Sequence, residues 1–276
     1  MSAGLRTLSG WLGALILLGL LLAAVLADQL YPGDPLDMVG APYLWPAQSA
    51  QTPLGTDLMG RDLAAGLCHG ARVSLLVAAA SAAIAVLLGV LVGAVSGFYR
   101  GRIDWVLTRV TEFFQTIPAF LLAIILVVVW RPSLGSIVLA LGLTSWTSVA
   151  RLVRAEFLTL RQREFVKASV ALGAGDLHLI WHEILPNAWT PVIVSTTLLM
   201  ANAILSEAGL AFLGLGDPNR VSWGSMIGLG RDALRTGWYM TAVPGLAVML
   251  SVLALNLLGD QLHRRLTPRL ARQGAR

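Results

Sequence analysis

The chain has 276 residues, of which 56% are hydrophobic and only 13% charged, and its mean hydropathy is +0.73. A soluble domain carries about 25% charged residues, so this surface cannot all face water. The net charge of +5 invites a nucleic-acid reading, and the placement of that charge along the chain excludes it.

Six windows of roughly 18 or more residues without charge stand out: residues 7–27, 73–99, 113–130, 132–150, 184–206 and 237–259. In hydrocarbon each backbone amide must be satisfied within its own segment, so these windows predict helices. Alternating segments of a β-barrel are absent. The expected fold class is all-α integral membrane, with six transmembrane helices in one domain.

The first window follows Arg6 and ends at Val25-Leu26-Ala27, which has the look of a signal-peptide cleavage site. Its apolar run exceeds the usual 7–15 or so residues of such a signal, which favours a retained helix. Residues 28–72 form an outside loop rich in proline and aspartate, with Pro32, Pro35, Pro42, Pro46 and Pro53 beside Asp28, Asp34, Asp37, Asp57 and Asp62. One cysteine, Cys68, rules out an internal disulfide. Within the third window Gln115 and Thr116 precede Pro118, so a broken helix lining a cavity is one reading and a hydrogen bond to a neighbouring helix is the other. Asn202 and Glu207, along and just past the fifth window, carry the same two readings. Arg109 and Glu112 read as snorkelling anchors or cross-helix partners. The second outside loop, 207–236, opens with an apolar stretch too short to span, expected to be re-entrant or interfacial and packed against protein.

With the N-terminus inside, 14 of the 20 basic residues fall on inside segments and only Arg61, Arg72, Arg131, Arg220, Arg231 and Arg235 outside. This is the positive-inside asymmetry. It places both termini in the cytoplasm and explains the basicity as topology.

The longest inside segment, 151–183, has an order that a structureless loop does not need. Phe165, Ala168, Ser169 and Leu172 share one helical face of small and apolar residues. Gly173-Ala174-Gly175 breaks the pattern, Asp176 suits an N-cap for a second short helix, and Pro186 stops it. The segment reads as a docking hairpin.

That hairpin resembles the EAA loop of ABC importer permeases, through residues 164–174 (Glu164-Phe165-Val166-Lys167-Ala168-Ser169-Val170-Ala171-Leu172-Gly173-Ala174), then Ile180 and Ile184-Leu185-Pro186-Asn187. Lys167 stands where the signature glutamate is usual, and Ser169 replaces the second alanine. Other stretches resemble the C-type permease of dipeptide, oligopeptide and nickel importers: Leu54-Gly55-Thr56-Asp57 with Gly60-Arg61-Asp62, Ala203-Ile204-Leu205-Ser206-Glu207-Ala208, Phe212-Leu213-Gly214-Leu215-Gly216, Ser222-Trp223-Gly224, Asn256-Leu257-Leu258-Gly259-Asp260 and Leu266-Thr267-Pro268-Arg269. The resemblance implies a bacterial inner-membrane transport subunit, not an enzyme, with no cofactor of its own. Its implied partners are a homologous second permease, one or two ATPase subunits that hold ATP and magnesium, an extracytoplasmic solute-binding protein and the lipid bilayer. ATPase coupling is expected at Glu164, Lys167, Ala168, Leu172, Gly173, Ala174, Asp176 and Pro186. The pathway is expected at Gln115, Pro118, Asn202 and Glu207, and binding-protein docking at Asp57, Arg61, Asp62, Asp217 and Arg220.

Competing chemistry is weakly supported. A phosphate-binding P-loop needs a glycine-rich run ending in Gly-Lys-Ser/Thr, and the single lysine, Lys167, follows Val166. His178, His182 and Glu183 have a spacing that could hold a metal, but two histidines on a surface helix are poor evidence for one. No histidine lies in a span to serve Ser225 as a base. A self-contained secondary transporter commonly shows an inverted repeat and midplane ionisable pairs, and neither is visible.

Overall fold

The computed structural model describes residues 3–266; Thr267, Pro268 and Arg269 of the C-terminal motif lie outside them. Helix α1 (Ala3–Val25) is followed by one turn, α2 (Ala27–Leu30), and by a loop held in turns. Next comes α3 (Leu63–Tyr99), whose 37 residues make it about 55 Å long, well beyond the roughly 30 Å of a bilayer core. It starts because Asp62 accepts a hydrogen bond from the amide of Ala64 at 2.9 Å, a side-chain cap on an otherwise orphan donor.

Two helices follow, α4 (Gly101–Thr116) and α5 (Ala119–Trp130), bent by 83° to each other. The cause is Pro118, which pushes the preceding residue out of the helical region; Ile117 has φ −91° and ψ 127°. Helix α6 (Leu134–Leu160) starts from a Ser133 cap. After it come α7 (Glu164–Ala171), the single turn α8 (Asp176–His178), a π-helical stretch Leu179–Ile184 and α9 (Leu185–Leu210). A second π-helical stretch, Ala211–Leu215, leads to α10 (Trp223–Gly230) and then α11 (Tyr239–Leu266).

Four stretches are long and apolar enough to cross a membrane: Leu63–Tyr99, Leu134–Leu160, Asp176–Leu215 and Tyr239–Leu266; α4 with α5 makes a fifth, broken span, and the apolar part of α1, Gly10–Val25, is shorter. All six predicted windows are therefore helical, but four differ from expectation. The second and fourth are longer at one end. The third is not one rod. The fifth begins earlier, because Pro186 does not stop the hairpin helix: it sits in the first turn of α9, directly after a helical stretch that continues into it. The widened π-helical turns just before it absorb the ring and the lost hydrogen bond.

The bundle is organised around α3 against α6. Gly89, Gly93 and Gly97 fall on one face of α3, four residues apart. A Cβ added at Gly89 would lie 2.4 Å from Cβ of Val149, one at Gly93 2.5 Å from the carbonyl oxygen of Ala150, and one at Gly97 2.6 Å from Cβ of Phe157. Gly142 answers from α6, where a Cβ would lie 2.8 Å from Ile84. Backbones this close gain van der Waals contact, the main attraction left between helices in lipid.

Candidate functional site

The hairpin is built as a rigid tip on a buried root. Gly173 takes the left-handed conformation, φ +86°, that ends α7. Its amide donates to Val170 O, while the amide of Ala174 donates to Ser169 O, both at 3.0 Å. These two bonds make a Schellman closure. Asp176 is not the cap of the second helix: Gly175 occupies that position, and Asp176 is the first helical residue, where its charge still favours the helix N-terminus. Across the hairpin Ser169 Oγ donates to Glu183 Oε1 at 2.9 Å. Below the tip, Val166, Leu179, Ile180, Ile184 and Leu185 pack with Phe98, Val149, Val153 and Phe157 into a second hydrophobic core. So the root of the hairpin and the ends of α3 and α6 form one body.

Its tip is apolar and bare. Leu172 is 89% exposed and Leu177 70%, in a region held by fixed turns. Such residues at the end of a rigid element mark a contact surface rather than a scattered apolar residue. Glu164 and Lys167 pair along the outer face of α7 at 2.9 Å, beside exposed Ala168. His178 and His182 stack at 4.7 Å on the opposite leg. Among the described residues, no group of three or more metal-ligating side chains occurs.

Next to the root lies an ionic hub that the sequence reading missed. Arg154 on α6 grips Asp104 on α4 through two bonds, Nε to Oδ1 at 2.6 Å and Nη2 to Oδ2 at 2.7 Å. Ser96 of α3 donates to the same carboxylate, as does Thr108. A single carboxylate therefore joins three helices at the hairpin end. Arg161 adds a further tie, donating to Phe98 O and lying 5.0 Å over the Phe98 ring.

The expected pathway residues do not converge in one place. Gln115 lines a cleft of about 270 Å³ with Thr108, Thr111, Glu112 and Arg151 beside Gly93 of α3. Pro118 is exposed at the bend, Asn202 is exposed on α9, and Glu207 is buried. Glu207 accepts from Ser74 Oγ at 3.2 Å, and that hydroxyl accepts in turn from the amide of Trp223 at 3.4 Å. Ser74 and Gly93 are roughly 28 Å apart along α3. Glu207 fastens α10 into the notch between α3 and α9. Arg109 and Glu112 pair with each other along α4 at 2.7 Å, not across helices.

At the far end of the bundle the first loop is pinned by Tyr239, whose hydroxyl donates to Leu44 O at 2.7 Å. Arg72 closes α1 by donating to Ala24 O and pairs with Asp28 at 3.0 Å. The bond from Arg72 holds the Asp28 carboxyl below its ordinary range. The expected docking charges differ in burial and bonding. Asp57 and Asp62 are 8% exposed. Asp57 Oδ1 accepts the amides of Met59 and Arg61, and Asp62 caps α3, so both carboxylates are committed to shaping the loop. Asp217 is committed as well, accepting Leu134 N at 2.9 Å and Asn219 N at 2.9 Å. What remains is basic. Arg61 and Arg220, with Arg231, line a cleft of about 420 Å³ between the two loops.

Over residues 85–272, a stretch that includes the glycine seam, the ionic hub and the hairpin, the sequence matches the family described as binding-protein-dependent transport system inner membrane component. The chain belongs to that family. This permease is 39% identical over 264 residues to the Di/tripeptide transport system permease protein DppC of Pseudomonas aeruginosa (strain UCBPP-PA14), covering 94% of this chain and 87% of that protein. It is 37% identical to the Dipeptide transport system permease protein DppC of Bacillus subtilis (strain 168), over 94% of this chain and 82% of that one. The Haemophilus influenzae protein of the same name is 34% identical, over 94% and 90%. Among solved structures, the MetNI methionine ABC transporter in an inward-facing conformation superposes with a TM-score of 0.60 at 18% identity, over 72% of the permease and 94% of that chain. The likeness shows that the two chains share a helical fold.

Proposed function

We propose that this permease forms half of the translocation pathway of an ATP-driven importer of di- and oligopeptides, delivered by an extracytoplasmic solute-binding protein. The hairpin carries the reading: an apolar tip, Leu172 and Leu177, held out by a Schellman turn on a root shared with α3 and α6. Burying two such leucines in a partner's cleft is worth about 1.5–3 kcal/mol each, enough to dock without a covalent tie. The partner in this reading is an ATPase subunit, one or two per complex, holding the ATP and magnesium. A homologous second permease completes the pathway, and this chain needs no cofactor. Because root and span ends are one body, a displacement of the tip moves α3 and α6 as a unit rather than dissipating in a loop. The names of the relatives favour peptides over nickel chelates as cargo.

In this reading the hairpin and both termini are cytoplasmic and the Arg61–Arg220 cleft is outside, which the excess of basic residues on the hairpin side supports. A reporter near Ala47 is expected to read as external and one after Arg276 as cytoplasmic. For the function, the chain is co-purified with its partners and reconstituted in vesicles. ATP-dependent uptake of peptide that requires the binding protein is the expected result. Uptake by the chain alone, driven by an ion gradient, would refute it.

A further inference from the structure

We propose that the external cleft of Arg61, Arg220 and Arg231 is a receptor for acidic side chains on the docking face of the solute-binding protein. This rests on the importer reading above and reverses the polarity that the loops' aspartates suggest.

The argument begins with bonding. Arg61 Nε is buried and has no hydrogen-bond partner among the described residues. A buried donor left unmade is costly, more so on a charged group, and a guanidinium presents a fork matched to a carboxylate. No acid among the described residues pairs with it. Asp217 spends both carboxylate oxygens on backbone amides, and Asp57 binds two amides through Oδ1 and forms no ion pair with Arg61. Arg220 makes no side-chain hydrogen bond or ion pair among the described residues. Arg231 is held by Phe212, donating to its carbonyl oxygen at 3.2 Å with the guanidinium 5.5 Å over the ring, and its acidic neighbour among the described residues is the exposed Asp232, at 3.6 Å. Its charge is positioned rather than neutralised.

The location selects the occupant. The three arginines come from two segments, Arg61 from the first loop and Arg220 and Arg231 from the stretch that follows the left-handed bend at Gly214, φ +83°. Both segments belong to the outside loops of the importer reading, so an occupant delivered from outside meets them first. Apolar walls from Leu36, Met59 and Leu229 lower the local dielectric and strengthen a charge pair formed there. Complementary charge of this kind sets register and association rate for a protein partner.

The test uses the complex of permeases and ATPases in vesicles, with peptide saturating and the binding protein titrated at low and high salt. Arg61→Gln with Arg220→Gln is expected to raise the half-saturating concentration of binding protein about tenfold and to flatten its salt dependence. Arg131→Gln, an external arginine outside the cleft, is expected to leave that concentration unchanged. Recovery of apparent affinity when Arg220→Glu meets a binding protein carrying acid-to-arginine substitutions on its docking face would fix the pairing directly. A half-saturation unchanged in Arg61→Gln/Arg220→Gln overturns the proposal. So does a variant that instead alters discrimination between free and C-terminally amidated peptides at saturating binding protein, since the cleft would then take cargo. Loss of the second permease from the purified variant also overturns it, the cleft then being an interface between permeases. Absence of any binding-protein response in the parent complex counts against the importer reading itself.

Discussion

Gly93→Ala tests whether α3 and α6 act as a single strut. A Cβ at Gly93 would lie 2.5 Å from Ala150 O, 2.8 Å from Val153 Cβ and 3.1 Å from Arg154 N, whereas ordinary contact begins near 3.4 Å. Two of those atoms are backbone, so no rotamer change relieves the clash. The helices must part by roughly 0.9 Å, and a gap of 0.5–1 Å already forfeits a quarter to a half of a dispersion well. Overpacking of this kind costs about 1–3 kcal/mol. Alanine also gains about 1 kcal/mol of helix propensity over glycine, which would mask part of the loss in a single variant. Gly245→Ala on α11 removes the ambiguity: nothing lies within 4 Å of its added Cβ, so it reports propensity alone. The difference between the two variants in thermal unfolding of the purified complex is expected to be the full clash. Equal stability of Gly93→Ala and Gly245→Ala would refute the seam as the organising contact.

Further outcomes follow from the same geometry. Leu172→Asp is expected to weaken ATPase co-purification by an order of magnitude or more while leaving helix content by circular dichroism unchanged, because the residue is 89% exposed and a charge cannot enter an apolar cleft unpaired. Gly173→Val forces a branched residue into the left-handed region, and is expected to lower uptake per ATP hydrolysed; a normal ratio would show that the turn does not transmit the stroke. Asp62→Ala is expected to cost about 1 kcal/mol through loss of the α3 cap, read as faster proteolysis of the first loop. Reversing Asp57 and Asp62 together is expected to disorder that loop rather than to give a salt-dependent docking defect.

What was legible in the sequence follows the range of the cause. Charge-free windows, the proline break at Pro118 and the glycine turn at Gly173 are local, and each was readable from a few residues. Pro186 misled because a proline reads as a stop unless the preceding turns can widen, and nothing in Leu179–Ile184 announces a π-helix. The aspartates of the first loop were readable as charge but not as ligands of their own backbone, although Asp57 before Gly60 is a turn signal. The seam of Gly89, Gly93 and Gly97 was present as a four-residue repeat and needed only the rule that small residues mark helix contacts in lipid. Arg154 and Asp104 had no such signal. They are 50 residues apart, and only the packing of α3, α4 and α6 joins them.

That pair also yields the sharpest test of how the bent third span is held. Between Arg100 and Gly101, both with positive φ, and the break at Pro118, α4 is anchored mainly by its Asp104 carboxylate, with only Thr111 buried along its length. The side chains of Arg154 and Asp104 are 34% and 17% exposed, so the cost of breaking a buried pair, about 3–5 kcal/mol, is reduced by solvent screening to roughly 1–3 kcal/mol. Asp104→Ala strands Arg154 together with the hydroxyls of Ser96 and Thr108; Arg154→Ala strands Asp104 alone, with those hydroxyls still donating. The first is therefore expected to destabilise the complex more than the second. The double variant is expected to lose less than the sum of the two, by about 1–2 kcal/mol, since contacting residues in one network couple. Chemical unfolding of the solubilised complex across the four proteins of the cycle measures this. Strict additivity would mean that the two bonds contribute nothing jointly, and α4 would then have to be held by a partner chain instead of by the hub.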